Sequence, residues 1–419
     1  SQLRIDHLFP PNVMFSNQYY NNNIMGLKIN MGSTIALLLL LAYAANAQPG
    51  VFDIRKYGGK SNGDITQAVI KAWQGACQTA GRSKVVIPKG IYRMGAVTFS
   101  GPCKGRIEFQ IQGTVQAPGG RGYFKSGSWV TFLRIDGFTL SGGGTFDGKG
   151  KSVWGTKSCS GIKYCGDLPI SLRFDFISNG LIQGITSLDS KQFHINLLGC
   201  KNVTFQRVNI IAPGNSPNTD GIHLGRSSGI RILDTKIATG DDCVSIGDGS
   251  RDILVQRVTC GPGHGISIGS LGKYTNEEPV VGVKVLDCTM TNTQNGVRIK
   301  TWPNSFAGTA SDLHFENLVM NNVDYPVLID QSYCPWRQCK AQIPSKIKIS
   351  DVSFKNIKGT ANTKGAVKLI CSKAVPCKNV KVTDIDIRYQ GKDGPATFQC
   401  TNVNPTLAGK HNPLPCTVK

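Results

Sequence analysis

Aliphatic residues recur at offsets 0, 2, 5 and 7 through most of the chain. Val203, Phe205, Val208 and Ile210 set the pattern, and Ile253, Val255, Val258 and Cys260 repeat it. So do Val283, Val285, Cys288 and Met290, then Leu313, Phe315, Leu318 and Met320. Further copies begin at Ile347 and Val380, one with a single polar exception at Ile230, and an earlier one at Leu133. Offsets 0 and 2 describe a strand with alternate residues inside. The step of three to offset 5 describes a bend carrying Asn or Asp, at Asp234, Asp287, Asn317, Asp351 and Asp384. A second strand follows each bend.

A separate set of short strands carries the polar chemistry. Aligned on Ile222, Val244, Ile266 and Val297, these strands are offset by 22, 22 and 31 residues. Two positions before the anchors stand Asp220, Asp242, His264 and Asn295, and one position after stand His223, Ser245, Ser267 and Arg298. Periods of this length signify stacked units. β-Branched residues dominate and Gly is abundant, so the expected fold is all-β: a right-handed parallel β-helix, one solenoid domain. A leucine-rich horseshoe lacks its signature here. Asp64 to Ala80 is the one good helical stretch and is expected to cap the N-terminal end.

Stacking at about 4.8 Å would bring Asp220, Asp242 and His264 onto successive coils. Asp241 joins them, and Arg298 and Lys300 follow from the next coil. Strict alternation would turn the residues two before the anchor inward, so a turn at Gly221, Gly240 and Gly265 must separate them from the strand. Close carboxylates cannot all ionise cheaply, so one pKa should rise. A raised acid beside an ionised base suits glycoside hydrolysis, and Arg with Lys suits a carboxylate-bearing sugar. Singly these residues have ordinary readings: Gly-Asp-Asp as a turn, Arg298 as a solvated strand residue, His264 between glycines as a tight turn. Their joint recurrence weakens them. Calcium on Asp220, Asp241 and Asp242 is the lesser alternative.

The chain of 419 residues carries a net charge of +21, which favours a polyanionic partner without choosing one. Residues 1–24 are Asn-rich, without apolar periodicity, and read as an upstream or non-native extension. Residues 25–47 read as a secretory signal: Lys28, a short apolar run from Ile35 to Leu41, and Ala45-Asn46-Ala47 before a cut at Gln48. Residues 48–419 would form the β-helix domain. The apolar run is too short for a comfortable membrane span. All 14 cysteines follow it, and an oxidising compartment suggests disulfides. The expected pairs are Cys159–Cys165, Cys243–Cys260, Cys334–Cys339, Cys371–Cys377, Cys77–Cys103 and Cys400–Cys416, with Cys200 and Cys288 as buried thiols. The spacings do not suit zinc. Asn202-Val203-Thr204 is a glycosylation acceptor. The run GGTFDGKG (143–150) lacks the Ser or Thr of a phosphate loop. Secretion argues against a nucleic-acid partner for the aromatic and basic residues near Trp129.

At SPNTDGIHLG (216–225), TGDDCVSIGDG (239–249), CGPGHGISIGSLG (260–272) and NGVRIKTW (295–302) the sequence resembles the polygalacturonases, pectin-cleaving glycoside hydrolases. Weaker resemblance covers nearly all of the chain after residue 48. LPISLRFDF (168–176) and LIDQSYCPWRQC (328–339) look like the plant exopolygalacturonases of pollen. The resemblance implies a parallel β-helix and inverting, metal-free, cofactor-free hydrolysis of polygalacturonate. It implies Asp241 as general acid, Asp220 and Asp242 as the water-activating pair, and His264 as tuner of the acid. Arg298 and Lys300 would clamp a galacturonate carboxylate, with Asn218 and Tyr333 near substrate; His223 receives no role. It implies a secreted plant cell-wall protein, expected to be a monomer, without nucleic-acid or membrane partners. Exo action from the non-reducing end would need the groove blocked, by Ser158 to Asp167 or Tyr333 to Gln342. An endo enzyme, a hydrolase of decorated galacturonan, a calcium-dependent pectate lyase and a non-catalytic wall-binding β-helix remain open.

Overall fold

Ile222 stands opposite Val244, Val244 opposite Ile266, and Ile266 opposite Val297, in parallel register. The four anchors therefore form one column, as their spacing predicts. They belong to the strands Ile222–Gly225, Val244–Ile246, Ile266–Leu271 and Asn295–Thr301. In this computed structural model the column runs on to Ile195 on one side and Val327 and Val367 on the other. The described residues are 50–120, 124, 127–155, 168–335 and 339–416. The extension, the signal and Cys159–Cys165 lie outside them.

Among the described residues every strand pairing is parallel, in one sheet of 21 strands and one of 11. Each coil gives one strand to the smaller sheet and a bent pair to the larger. In later coils that pair is continuous through the bend, as in Gly308–Val323 and Ile347–Ala361. The chain is a parallel β-helix, with the right-handed sense that crossovers between parallel strands take. Inside, columns of fully buried Ile, Val and Phe stack coil on coil. Each such side chain contributes about 1.5–3 kcal/mol, and a slip of one residue would turn a whole strand's apolar set outward.

The bends are built as the sequence predicts. Asp234, Asp287, Asn317 and Asp384 hold left-handed φ angles of 49–57°. Asn and Asp tolerate that region through local hydrogen bonds. They also bond along the axis: Asn317 Nδ2 donates to Asp287 Oδ1 at 2.9 Å, and Asn356 Nδ2 to Asn317 Oδ1 at 2.8 Å. Two copies were misframed by the pattern. Leu313 pairs with Val352, not Ile347, so the true copy is Val352, Phe354 and Ile357, with its bend at Asn356. Asp351 belongs to a second left-handed column, with Asp312 and Asn379. Likewise the early frame starts at Phe138 rather than Leu133, which lies in the smaller sheet.

The helix Thr66–Gln78 covers the N-terminal end. Ala68, Val69, Ala72, Trp73 and Ala76 give it one buried face. Asp64 Oδ1 accepts from Thr66 N at 2.8 Å, satisfying a first-turn donor. Trp73 lies 5.0 Å from Phe99, the start of an aromatic stack through Phe132 and Phe174. The Cys77–Cys103 disulfide ties the helix to the first coils. Disulfides also join Cys243–Cys260, Cys334–Cys339, Cys371–Cys377 and Cys400–Cys416. Cys200 and Cys288 are buried thiols.

Candidate active site

The corner that precedes the smaller sheet carries the site. Its backbone ladder continues past the anchors: His194 N donates to Asp220 O, Gly221 N to Asp242 O, and His264 N to Asp241 O. The chain still turns there, so the carboxylates leave the core side. Glycine is required twice. Gly263 and Gly265 have φ of 154° and 85°, and a Cβ at 265 would collide with the Asn295 carbonyl. The tight turn and the candidate histidine are thus the same feature: His264 is presented between two positions that require glycine.

Asp220, Asp241, Asp242, His264, Arg298, Lys300 and Tyr333 converge here. Asp242 is the hub. Lys300 Nζ donates to its Oδ2 at 2.6 Å, Arg298 Nη2 to its Oδ1 at 2.9 Å, and Ser267 Oγ to the same Oδ1 at 2.8 Å. Burial by itself would raise the Asp242 pKa, but Lys300 and Arg298 outweigh it and hold the carboxyl at about 2. Arg298 Nε also donates to Ser267 Oγ at 3.2 Å. The Tyr333 ring lies 5.5 Å from the Arg298 guanidinium and 5.2 Å from Lys300 Nζ, and burial raises its phenol pKa. Arg298 and Lys300 are each only 7% exposed. The expected clamp residues are engaged on a carboxylate of the protein itself.

Asp220 has no such cation. Ser245 Oγ donates to its Oδ2 at 2.7 Å, and His223 Nδ1 lies 2.6 Å from that hydroxyl. Burial raises the Asp220 pKa, and the charges of Asp241 and Asp242 push it further. One carboxyl is raised, as expected, but it is Asp220, whereas the residue expected to be the acid is Asp241. Asp241 is the most open of the three, its side chain 25% exposed against 8% for Asp220 and 1% for Asp242. His264 Nδ1 lies 3.0 Å from Asp241 Oδ1. Burial would lower the His264 pKa, but the Asp241 hydrogen bond and the two negative charges raise it instead. A protonated His264 adds a third positive charge beside Arg298 and Lys300.

A metal has poor claim on this cluster. Asp241, Asp242 and His264 bring donor atoms within 4.8 Å of one another. Asp242, however, already receives three hydrogen bonds, two from cations that would repel a third.

Other predicted residues fall less centrally. Asn218 has φ of 53°, and its Nδ2 is buried without a partner. Asn202 lies exposed on the larger sheet, its Nδ2 donating to Asn179 Oδ1 at 2.7 Å. Of the two expected groove-blocking segments, 158–167 lies outside the described residues, and Tyr333 leads the other into the site. One coil before Asp220, the buried Lys191 donates to the carbonyls of Pro118 and Gly148 at 2.8 and 2.6 Å. Those two loops are thereby fastened together on the same corner. The sequence places Ser245, Ser267 and His223 at one shared position after the anchors but assigns them no role; their hydrogen bonds to the carboxylates and to one another appear only in the structure.

The profile of the glycosyl hydrolases family 28 matches residues 77–412. An exopolygalacturonase of Platanus acerifolia is 54% identical over 364 residues, 87% of this chain and 97% of that protein. A polygalacturonase of Brassica napus is 53% identical over 384 residues, 91% of this chain and 95% of that one. The solved endo-xylogalacturonan hydrolase from Aspergillus tubingensis shares the fold, with a TM-score of 0.71 at 24% identity, covering 83% of this chain and 98% of its own.

Proposed function

The chain belongs to the glycosyl hydrolases of family 28, and on that premise we propose that it hydrolyses the α-1,4-galacturonosyl linkages of polygalacturonate by an inverting acid–base reaction. The observation that carries the reading is the unequal surroundings of three neighbouring carboxyl groups. Position and exposure divide the roles: Asp241 lies open beside His264, and Asp220 and Asp242 form a buried pair. Asp242, held ionised by Lys300 and Arg298, orients the attacking water. Asp220, the more basic of the buried pair, takes its proton. The water oxygen attacks C1 from one face while the C1–O bond breaks on the other. Asp241, the carboxyl most open to the groove, gives a proton to the leaving oxygen, and His264 restores it. Asp220 then returns its proton to solvent. Arg298 retains Nη1, and Lys300 its remaining hydrogens, for a galacturonate carboxylate. Asn218 and Tyr333 border the same substrate.

We further infer exo action from the non-reducing end. Support comes from the exopolygalacturonase relative and from the loops that Lys191 fastens beside the groove, one coil before Asp220. Secretion to the plant cell wall is supported by the signal-like residues 25–47, the disulfides and the plant origin of the relatives. No helix among the described residues is long and apolar enough to cross a membrane.

One assay tests both parts: incubation with polygalacturonate in EDTA, following reducing ends, product size and viscosity. Monomer release with slowly falling viscosity is expected. Ultraviolet-absorbing unsaturated products would indicate a lyase, and unchanged reducing ends a binding protein. A rapid viscosity drop with mixed oligomers and little monomer would leave hydrolysis standing and overturn exo action.

A further inference from the structure

His223 stands one position after an anchor, on the groove face of the strand Ile222–Gly225. Its Nδ1 is 3.6 Å from Asp220 Oδ2, too far for a direct hydrogen bond, and 2.6 Å from Ser245 Oγ. Ser245 comes from the next coil and donates to Asp220 at 2.7 Å. On its other side the imidazole stacks on Phe193, centroids 4.7 Å apart and planes 22° apart. The ring is therefore held in plane by one neighbour and in direction by another.

Asp242 has a matching arrangement: Ser267 donates to it, and Arg298 Nε donates to that serine. Each carboxylate of the buried pair thus has a serine one coil on, and behind the serine a nitrogen from the groove face. The nitrogen behind Ser267 is permanently charged. The one behind Ser245 is not. A serine hydroxyl has one hydrogen. While Asp220 is ionised, Ser245 spends that hydrogen on Asp220, so His223 must supply one from Nδ1. Once Asp220 is protonated it can donate to Ser245; His223, its side chain 32% exposed, gives its Nδ1 proton to solvent and takes one at Nε2, and the serine hydrogen turns to the bare Nδ1. The direction of the string follows the proton on Asp220.

We propose that His223 is a positioning residue of the reaction, holding Asp220 through Ser245 as a proton acceptor that can later release its proton, whereas Asp242 is held through Ser267 by the fixed charge of Arg298. The proposal rests on the reading of Asp220 as acceptor. The charged groups facing Asp220 are Asp241 and Asp242, which disfavour its ionisation together with burial, and His223, which favours it.

His223→Phe keeps the ring against Phe193 and removes both nitrogens. The acidic limb of kcat/KM against pH, which reports the free enzyme, should move up by about one unit, the lower end of what a favourable neighbour supplies. The loss of activity should grow as pH falls, reaching about tenfold on that limb. His223→Asn, which keeps a donor, should bring the limb partway back. Ser245→Ala should shift it equally, and the double variant no further, because the two act through one path. Infrared titration of the buried carboxyl in the substrate-free protein should show the same upward movement, in a band lost in Asp220→Asn. An unmoved limb and band, or a loss equal at every pH that His223→Asn does not relieve, would overturn the proposal. Should His223→Phe fail to fold, the Asn variant's infrared titration decides. A wild type inactive on polygalacturonate would sink the substrate reading, whereas an active wild type with unshifted variants sinks only this inference.

Discussion

Lys300→Met removes one ammonium from Asp242 and keeps most of the side chain's length. Asp242 is 1% exposed and held at about 2 against an ordinary 3.8. Returning it to the ordinary value removes about 2 kcal/mol at 1.36 kcal/mol per unit. Burial would push it further, towards the ~3–5 kcal/mol of a broken buried pair, but Arg298 and Ser267 remain in place. The expected loss is about 2–4 kcal/mol near neutrality. A depressed carboxyl stabilises above its unfolded pKa, and that contribution is lost as pH falls through the folded value. The difference between wild type and variant should therefore be full at pH 7, about half at pH 3, and nearly gone at pH 2. Urea unfolding at several pH values measures it without the added salt that would screen the pair. Equal destabilisation at pH 7 and pH 3 would refute the electrostatic account, as would no destabilisation at all. The same contact gives the expected clamp residues a second effect. Because Lys300 holds Asp242 ionised, kcat should fall as well as KM rise.

Asp241→Asn should leave the melting temperature nearly unchanged and reduce activity by about 10²–10⁴-fold or more, the usual worth of a general acid; near-full activity of the purified variant would remove Asp241 from that role. NMR of the first-formed product should show the β anomer from the α linkage, since an inverting pair leaves room for water, about 6.5–9.5 Å between the carboxyl groups. An initial α product would mean a covalent intermediate and a different task for Asp220 and Asp242.

Much of this molecule is legible in its sequence because parallel stacking converts spacing into contact. The anchors Ile222, Val244, Ile266 and Val297 align by residue pattern alone, and the same four residues pair in the structure. A column of apolar residues permits no other register, since any slip exposes it, so the polar residues carried beside the anchors must meet. The pattern was weaker where it resembled itself. Its first and second aliphatic pairs are alike, so a frame shifted by five residues still fits half the template. That is why Ile347 and Leu133 fit the template although the coils start at Val352 and Phe138. What only the tertiary structure decided is the inequality among the carboxylates. Sequence proximity makes Asp241 and Asp242 near equivalents. The fold instead buries Asp242 beneath Lys300 and Arg298 from two coils further on, and leaves Asp241 open beside His264. It gives Asp220 a serine and a histidine in place of a cation. Protonation depends on burial and on charges a few ångströms away, and those belong to neighbouring coils rather than to neighbouring residues.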